Sequence, residues 1–167
     1  DKEQLFREIV EGVAGNSDAV IAVIEAAFGQ SPATTRDELE ERLRNVARAY
    51  LDAVLQDQVM SLRRLIVAEV EQFPDLARNY YEQAPSRGVD AIANRLQPYV
   101  DSGMLAVSDL RLAAAHFAYL ALAIAQDRAM FIPAELPDAA ERDRLTTAAA
   151  RAFLTAYDAD RGPVART

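Results

Sequence analysis

The sequence has no cysteine, a single histidine, and no long run of apolar residues free of charge. Without cysteine there is no disulfide scaffold and no thiolate metal site, a composition that fits a reducing compartment and sets the expectation of a cytoplasmic protein. A membrane-spanning helix needs about 18 or more consecutive apolar residues, and none is present. No secretory signal is expected at Asp1. His116 has neither a second histidine nor a Glu-x-x-His spacing to work with, so no metal and no cofactor are expected. The GVAG at 12–15 is not a phosphate loop, and no serine stands in a recognisable nucleophile context. No catalytic residue is assigned, and the chain does not read as an enzyme.

Positive charge is also scarce. Eighteen lysines and arginines face 26 acidic residues, for a formal net charge of -8. Nucleic-acid binding needs basic residues gathered on one face. Here Arg63-Arg64 is the only local cluster, and it sits within a patterned helix. Read alone, these 167 residues do not bind DNA. About half of them are apolar, enough for one globular domain with a sizeable core.

Alternation of period two, the mark of strands, is missing, and no internal repeat is visible. What is present has a period near 3.6 throughout. Leu5, Phe6, Ile9, Val10 and Val13 form a first stripe, on a helix expected over 2–14. Gly15, Asn16 and Ser17 read as an interruption, with Asn16 or Ser17 capping a second helix that carries Ala19, Val20, Val23, Ile24, Ala27 and Phe28. Thr35 and Glu38 have capping-box spacing. They open a stripe of Leu39, Leu43, Val46, Ala47, Tyr50, Leu51, Val54 and Leu55. The polar QDQ at 56–58 marks a kink or a break, after which Val59, Leu62, Leu65, Ile66, Val70 and Phe73 resume the pattern.

Pro74 stops that helix and suits the first position of a new short one, with Asp75 in its first turn. Pro85 and Ser86 are expected to separate the short helix from the next, whose stripe is Val89, Ile92, Ala93, Leu96, Tyr99 and Val100. DSG at 101–103 is a stop, with Gly103 just past the helix end, and Ser108 or Asp109 is a cap. The following LRLAAAHFAYLALAI, 110–124, is apolar on every side, which predicts a helix covered all round by its own core or by a second subunit. A last helix runs from Ala139 to about Asp158. The fold class is all-α, a multi-helix bundle of seven to nine helices. Glu38-Arg42, Glu40-Arg44 and Glu41-Arg44 read as solvent-face ion pairs.

Three stretches in series resemble the TetR/AcrR family of transcriptional regulators, in its C-terminal ligand-binding and dimerisation domain. They are DKEQLFREIVE at 1–11, LRRLIVAEVEQFPDLARNYYEQAP at 62–85 and DSGMLAVSDLRLAAAHFAYLALAI at 101–124. Together they cover about a third of the chain. The resemblance implies an all-α TetR-type core in which 1–14 is a helix linking to an N-terminal helix-turn-helix domain absent from this chain. Residues 15–160 would be the ligand-binding and dimerisation domain, and 161–167 a tail. It further implies a homodimer, a small-molecule effector, operator DNA bound through the missing domain, and a repressor whose DNA binding the effector controls. No DNA-contacting residue lies in this chain.

On that basis Glu69, Phe73, Tyr81, His116 and Tyr119 are candidates for a ligand pocket. For four of them a plainer role stands beside this one: Glu69 as a partner of Arg63 or Arg64 or as a solvent-exposed residue, Phe73 and Tyr81 as core, His116 as an interface or core residue. Leu112, Ala115, Phe117, Leu120, Leu145, Ala149, Ala152 and Phe153 are candidates for a dimer interface on the last two helices. The alternative function is a helical dimerisation or interaction module that binds neither ligand nor DNA.

Overall fold

The computed structural model describes residues 1–160, apart from the side chains of residues 2, 3, 5, 6, 10, 11, 13 and 14. The tail at 161–167 and the stripe positions Leu5, Phe6, Val10 and Val13 therefore lie outside the described residues. Seven α-helices follow one another: α1 (Lys2–Phe28), α2 (Arg36–Val54), α3 (Asp57–Glu69), α4 (Pro74–Tyr81), α5 (Arg87–Asp101), α6 (Leu110–Phe131) and α7 (Ala139–Ala156). A single π-helical turn, Glu82–Ser86, joins α4 to α5. Among the described residues the only β pairing is an isolated bridge between Leu105 and Asp158.

α2 is the spine of the bundle. The Thr35 side chain accepts from the Glu38 N–H, and the Glu38 carboxylate reaches back to the Thr35 backbone, closing the expected capping box. Its whole predicted stripe is buried, from Leu39 to Leu55. That face packs on α1, α6 and α7, while α5 lies against α1 and α6. The core centres on Phe28, Leu43, Leu51, Ile92, Leu96, Phe117 and Phe153, with the Phe117 and Phe153 rings edge to face at 5.3 Å between centroids. On the outer surface, Asp52 of α2 binds Arg48 at 2.9 Å and Arg142 of α7 at 2.7 Å. Glu40 pairs across to Arg151 of α7 at 2.8 Å rather than along its own helix with Arg44. Arg42, expected on Glu38, donates to the Ser31 carbonyl instead.

Four corners follow their local chemistry. QDQ is a true break, since α2 ends at Val54 and α3 starts at Asp57. Pro74 is the first residue of α4, and Phe73 before it leaves helical geometry at φ −130°, ψ 63°. α3 and α4 fold over a small separate core of Ile66, Leu76 and Tyr80, with Phe73 against it. At the end of α5, Gly103 takes φ 77°, its N–H donating to Val100 and the Met104 N–H to Tyr99. Asp109 caps α6 through the Leu112 N–H.

Three expectations are corrected. α1 is one helix through Gly15, Asn16 and Ser17, not two. A glycine inside a helix costs only about 1 kcal/mol relative to alanine, which packing of α1 on α2 and α5 outweighs. In consequence Ser17 is not a cap but a buried residue, while Ala19 and Val23 face outward. Pro85 does not break the chain, because the wider π turn takes up the missing N–H and the ring. α3 is covered less than its stripe suggests, with Leu65 and Val70 exposed. Of the two covers expected for α6, the chain's own core supplies one face only. Leu112, Leu120, Ile124 and Phe131 are exposed on it, Ile124 at 64% and Phe131 at 81%.

Candidate functional site

A cleft lies between the long α1 and the α3–α4 corner. Six helices and the π turn build it, and its empty volume, counted out through its open mouth, is about 840 Å³. α1 contributes Ser17, Val20 and Ile21, and α3 contributes Val59, Leu62 and Arg63. Tyr50 and Val54 come up from α2, Tyr80 from α4, and Tyr119, Leu122 and Gln126 from α6. The π turn forms one wall with Ala84 and Pro85, and Gly88 and Val89 continue it. A mostly apolar concavity with a few convergent polar groups is the usual form of a small-molecule site.

The polar groups have defined states. Tyr50 is almost wholly buried, and burial pushes its hydroxyl up to about 12, with Tyr119 and Tyr80 adding and Arg63 opposing. It is a neutral hydrogen-bonding group at any ordinary pH. Burial also raises Tyr80, again with Arg63 pulling the other way. Ser17 Oγ is buried on the α1 wall and has no hydrogen-bond partner among the described residues. A buried hydroxyl left unpaired costs about 1–3 kcal/mol, so a ligand atom there would recover something. Gly88 is dictated by space, because a Cβ at that position would come within 2.8 Å of the Tyr50 hydroxyl.

Of the five pocket candidates read from the sequence, the structure brings only Tyr119 to this cleft. Phe73 belongs to the small core under the α3–α4 corner, and Tyr81 is exposed on the far side of α4. Glu69, at the last turn of α3, is not a lining residue and is not free of partners. His116 is exposed on α6, with its Nδ1 hydrogen-bonded to the Tyr157 hydroxyl at the end of α7. The break at Phe73-Pro74 shapes the cleft indirectly, by turning α4 so that Tyr80 faces in. Sequence reading missed Ser17, Tyr50, Arg63 and Tyr80. The Arg63-Arg64 pair divides: Arg63 lines the cleft, and Arg64 donates to the Ala129 carbonyl of α6 at 3.0 Å.

The dimer candidates divide as well. Phe117, Phe153, Leu145 and Ala149 are buried inside the chain and present no side-chain surface to a partner. Leu112, Leu120 and Ala152 are exposed, and Ala115 is half-buried. The correction is one of helix face. On α6 the small alanines Ala113, Ala114, Ala118 and Ala121 turn inward, and the larger Leu112, Leu120 and Ile124 turn outward.

Residues 41–159 match the family described as AefR-like transcriptional repressor, C-terminal domain. The chain belongs to the TetR/AcrR family. A crystal structure from Mesorhizobium loti MAFF303099, assigned to the TetR-family transcriptional regulators, is 30% identical. The alignment covers 95% of this chain and 76% of that one, with a TM-score of 0.82. The Flavonoid-responsive Regulator FrrA shares the fold at 23% identity and a TM-score of 0.62, over 85% of this chain and 72% of its own. A comparison with curated proteins finds no match. As a TetR-family C-terminal domain, the chain is a non-catalytic regulatory module. No helix among the described residues is long and apolar enough to cross a membrane.

Proposed function

We propose that this chain is the ligand-sensing and dimerising core of a cytoplasmic transcriptional repressor. A small-molecule effector occupies the cleft, and operator DNA is bound by a helix-turn-helix domain ahead of Asp1. The single observation that carries this reading is that α1, the helix that in the resembled family joins the two parts, is also a wall of the cleft. A ligand against Ser17, Val20 and Ile21 touches the helix whose other end leads, through residues 1–14, toward the DNA-binding part. The helix has no break at Gly15 to uncouple the two ends. Two recognition helices must stand about 34 Å apart to enter successive major grooves. A ligand that favours one setting of α1 changes that separation, to the extent that it binds the two settings unequally.

The dimer forms through α6 and α7. Leu112, Leu120 and Ile124 fall on one outward stripe of α6, at spacings of eight and four residues, and Ala148, Ala152 and Ala156 make a small-residue row on α7 that admits close approach. A dimerisation module without a ligand would be better served by a filled core, and the open cleft speaks against that alternative.

The test uses a regulator that carries both parts. Ligands are screened by thermal shift against the wild type and against Val59→Trp, which narrows the cleft. One that stabilises only the wild type should change operator affinity by at least ~5-fold, the low end of ordinary allosteric coupling. Operator affinity unchanged at saturating ligand would sink the proposal.

A further inference from the structure

The cleft has a charge character opposite to that of the chain. Among the described residues no acidic side chain lines it, and Arg63 is the one charged residue on its wall. Among the described residues no carboxylate forms an ion pair with Arg63, although Arg48, Arg87, Arg111, Arg142 and Arg151 all find one. Arg63 is half-buried, on a wall shared with apolar side chains and with Tyr50 and Tyr80, whose hydroxyls are neutral. Across the cleft, Ser17 Oγ on α1 has no hydrogen-bond partner among the described residues.

We infer that the cleft takes an apolar monoanion, its acid group held by Arg63 and its body against the tyrosine rings and the aliphatic wall. The inference rests on the reading of the cleft as the effector site and adds the chemical class of the effector. Arginine presents a planar fork of donors that matches a carboxylate or similar oxyanion, and it is less strongly hydrated than an ammonium. A partly buried cation without a counter-charge gains most when the ligand supplies one. A cationic ligand would meet Arg63 with no carboxylate to offset it. A neutral one would leave the guanidinium without a counter-charge, with only neutral groups such as the Tyr80 hydroxyl beside it.

The test uses two fluorescent probes that differ by one acid group. These are 1-anilinonaphthalene-8-sulfonate, an apolar monoanion, and N-phenyl-1-naphthylamine, its neutral counterpart. Both are titrated into the 167-residue chain, into Arg63→Gln and into Val59→Trp. Arg63→Gln is expected to weaken the sulfonate roughly tenfold, in line with a lost charge-assisted hydrogen bond, and to leave the neutral probe within about twofold. The neutral probe also reports that the variant still has its cleft. Val59→Trp is expected to weaken both. Equal effects of Arg63→Gln on the two probes, or none on the sulfonate, overturn the anion inference while leaving the cleft as a ligand site. Binding of both probes that ignores Val59→Trp, or no binding of either, overturns the cleft reading as well.

Discussion

The Tyr50 hydroxyl of α2 occupies the space that a Cβ on residue 88 of α5 would need, with only 2.8 Å between them. Gly88 is therefore the contact that lets a buried tyrosine from the spine of the bundle reach the cleft. Gly88→Ala adds a methyl to a packed site, an overpacking worth about 1–3 kcal/mol. Against this stands a gain of about 0.5–1 kcal/mol from better helix propensity. The expected net loss is about 1 kcal/mol in chemical denaturation. In a Tyr50→Phe background the obstructing oxygen is gone, and the same Gly88→Ala change should become neutral or stabilising. A loss of equal size in both backgrounds would show that the two residues are not coupled.

The inner and outer sides of the α6–α7 pair predict opposite outcomes for two substitutions. Phe153, which packs edge to face on Phe117, is fully buried, and Phe153→Ala should cost about 3–5 kcal/mol whatever the oligomeric state. Ile124 is 64% exposed, and Ile124→Arg should leave a single chain folded while splitting the proposed dimer. Sedimentation velocity and circular dichroism on the two variants check the pair. A dimer that survives Ile124→Arg would place the interface elsewhere.

The capping box at the start of α2 gives a pH dependence with a definite sign. Glu38 is held below its usual 4.5, first by the Thr34 N–H and then by the Thr34 hydroxyl. Because the folded value is the depressed one, the stabilisation is fully present above pH ~4.5, the ordinary carboxylate value, and is lost as the pH falls through the folded value. Thr34→Ala removes the hydroxyl but keeps the N–H. The Glu38 midpoint, followed by NMR, should therefore rise only part of the way back. An unchanged midpoint would show that the hydroxyl contributes nothing.

Much of the fold was legible because it rests on local rules. The α2 stripe, the Thr35–Glu38 box, the Pro74 start, the Gly103 stop and the Asp109 cap each depend on residues within one or two turns of one another. The errors arose where distant packing overrode local preference. Gly15-Asn16-Ser17 reads as a break from its own composition, but α2 and α5 hold α1 helical through it. Reading a break there also hid Ser17. On a continuous α1, Ser17 stands three and four residues before Val20 and Ile21 and seven before Ile24, so it falls on the inner face. The site was the least legible part. Tyr50 looks like any residue of a core stripe, and Arg63 like any surface arginine. Only the meeting of six helices and the π turn shows that both face one cleft. Phe117 and Phe153 were misplaced for a related reason, since an all-apolar helix gives no sign of which side is taken by its own chain.

The absence of cysteine permits a direct test of the central claim, that occupancy of the cleft moves α1 within a dimer. Glu8 is exposed near the start of α1, and Glu8→Cys provides one spin label per chain. Double electron–electron resonance then reads the separation of the two labels, with and without a ligand whose binding is abolished by Val59→Trp. The account predicts a defined distance in the free protein and a shift of its maximum when the cleft is saturated. No dipolar signal, or the same distribution in both states, would contradict it.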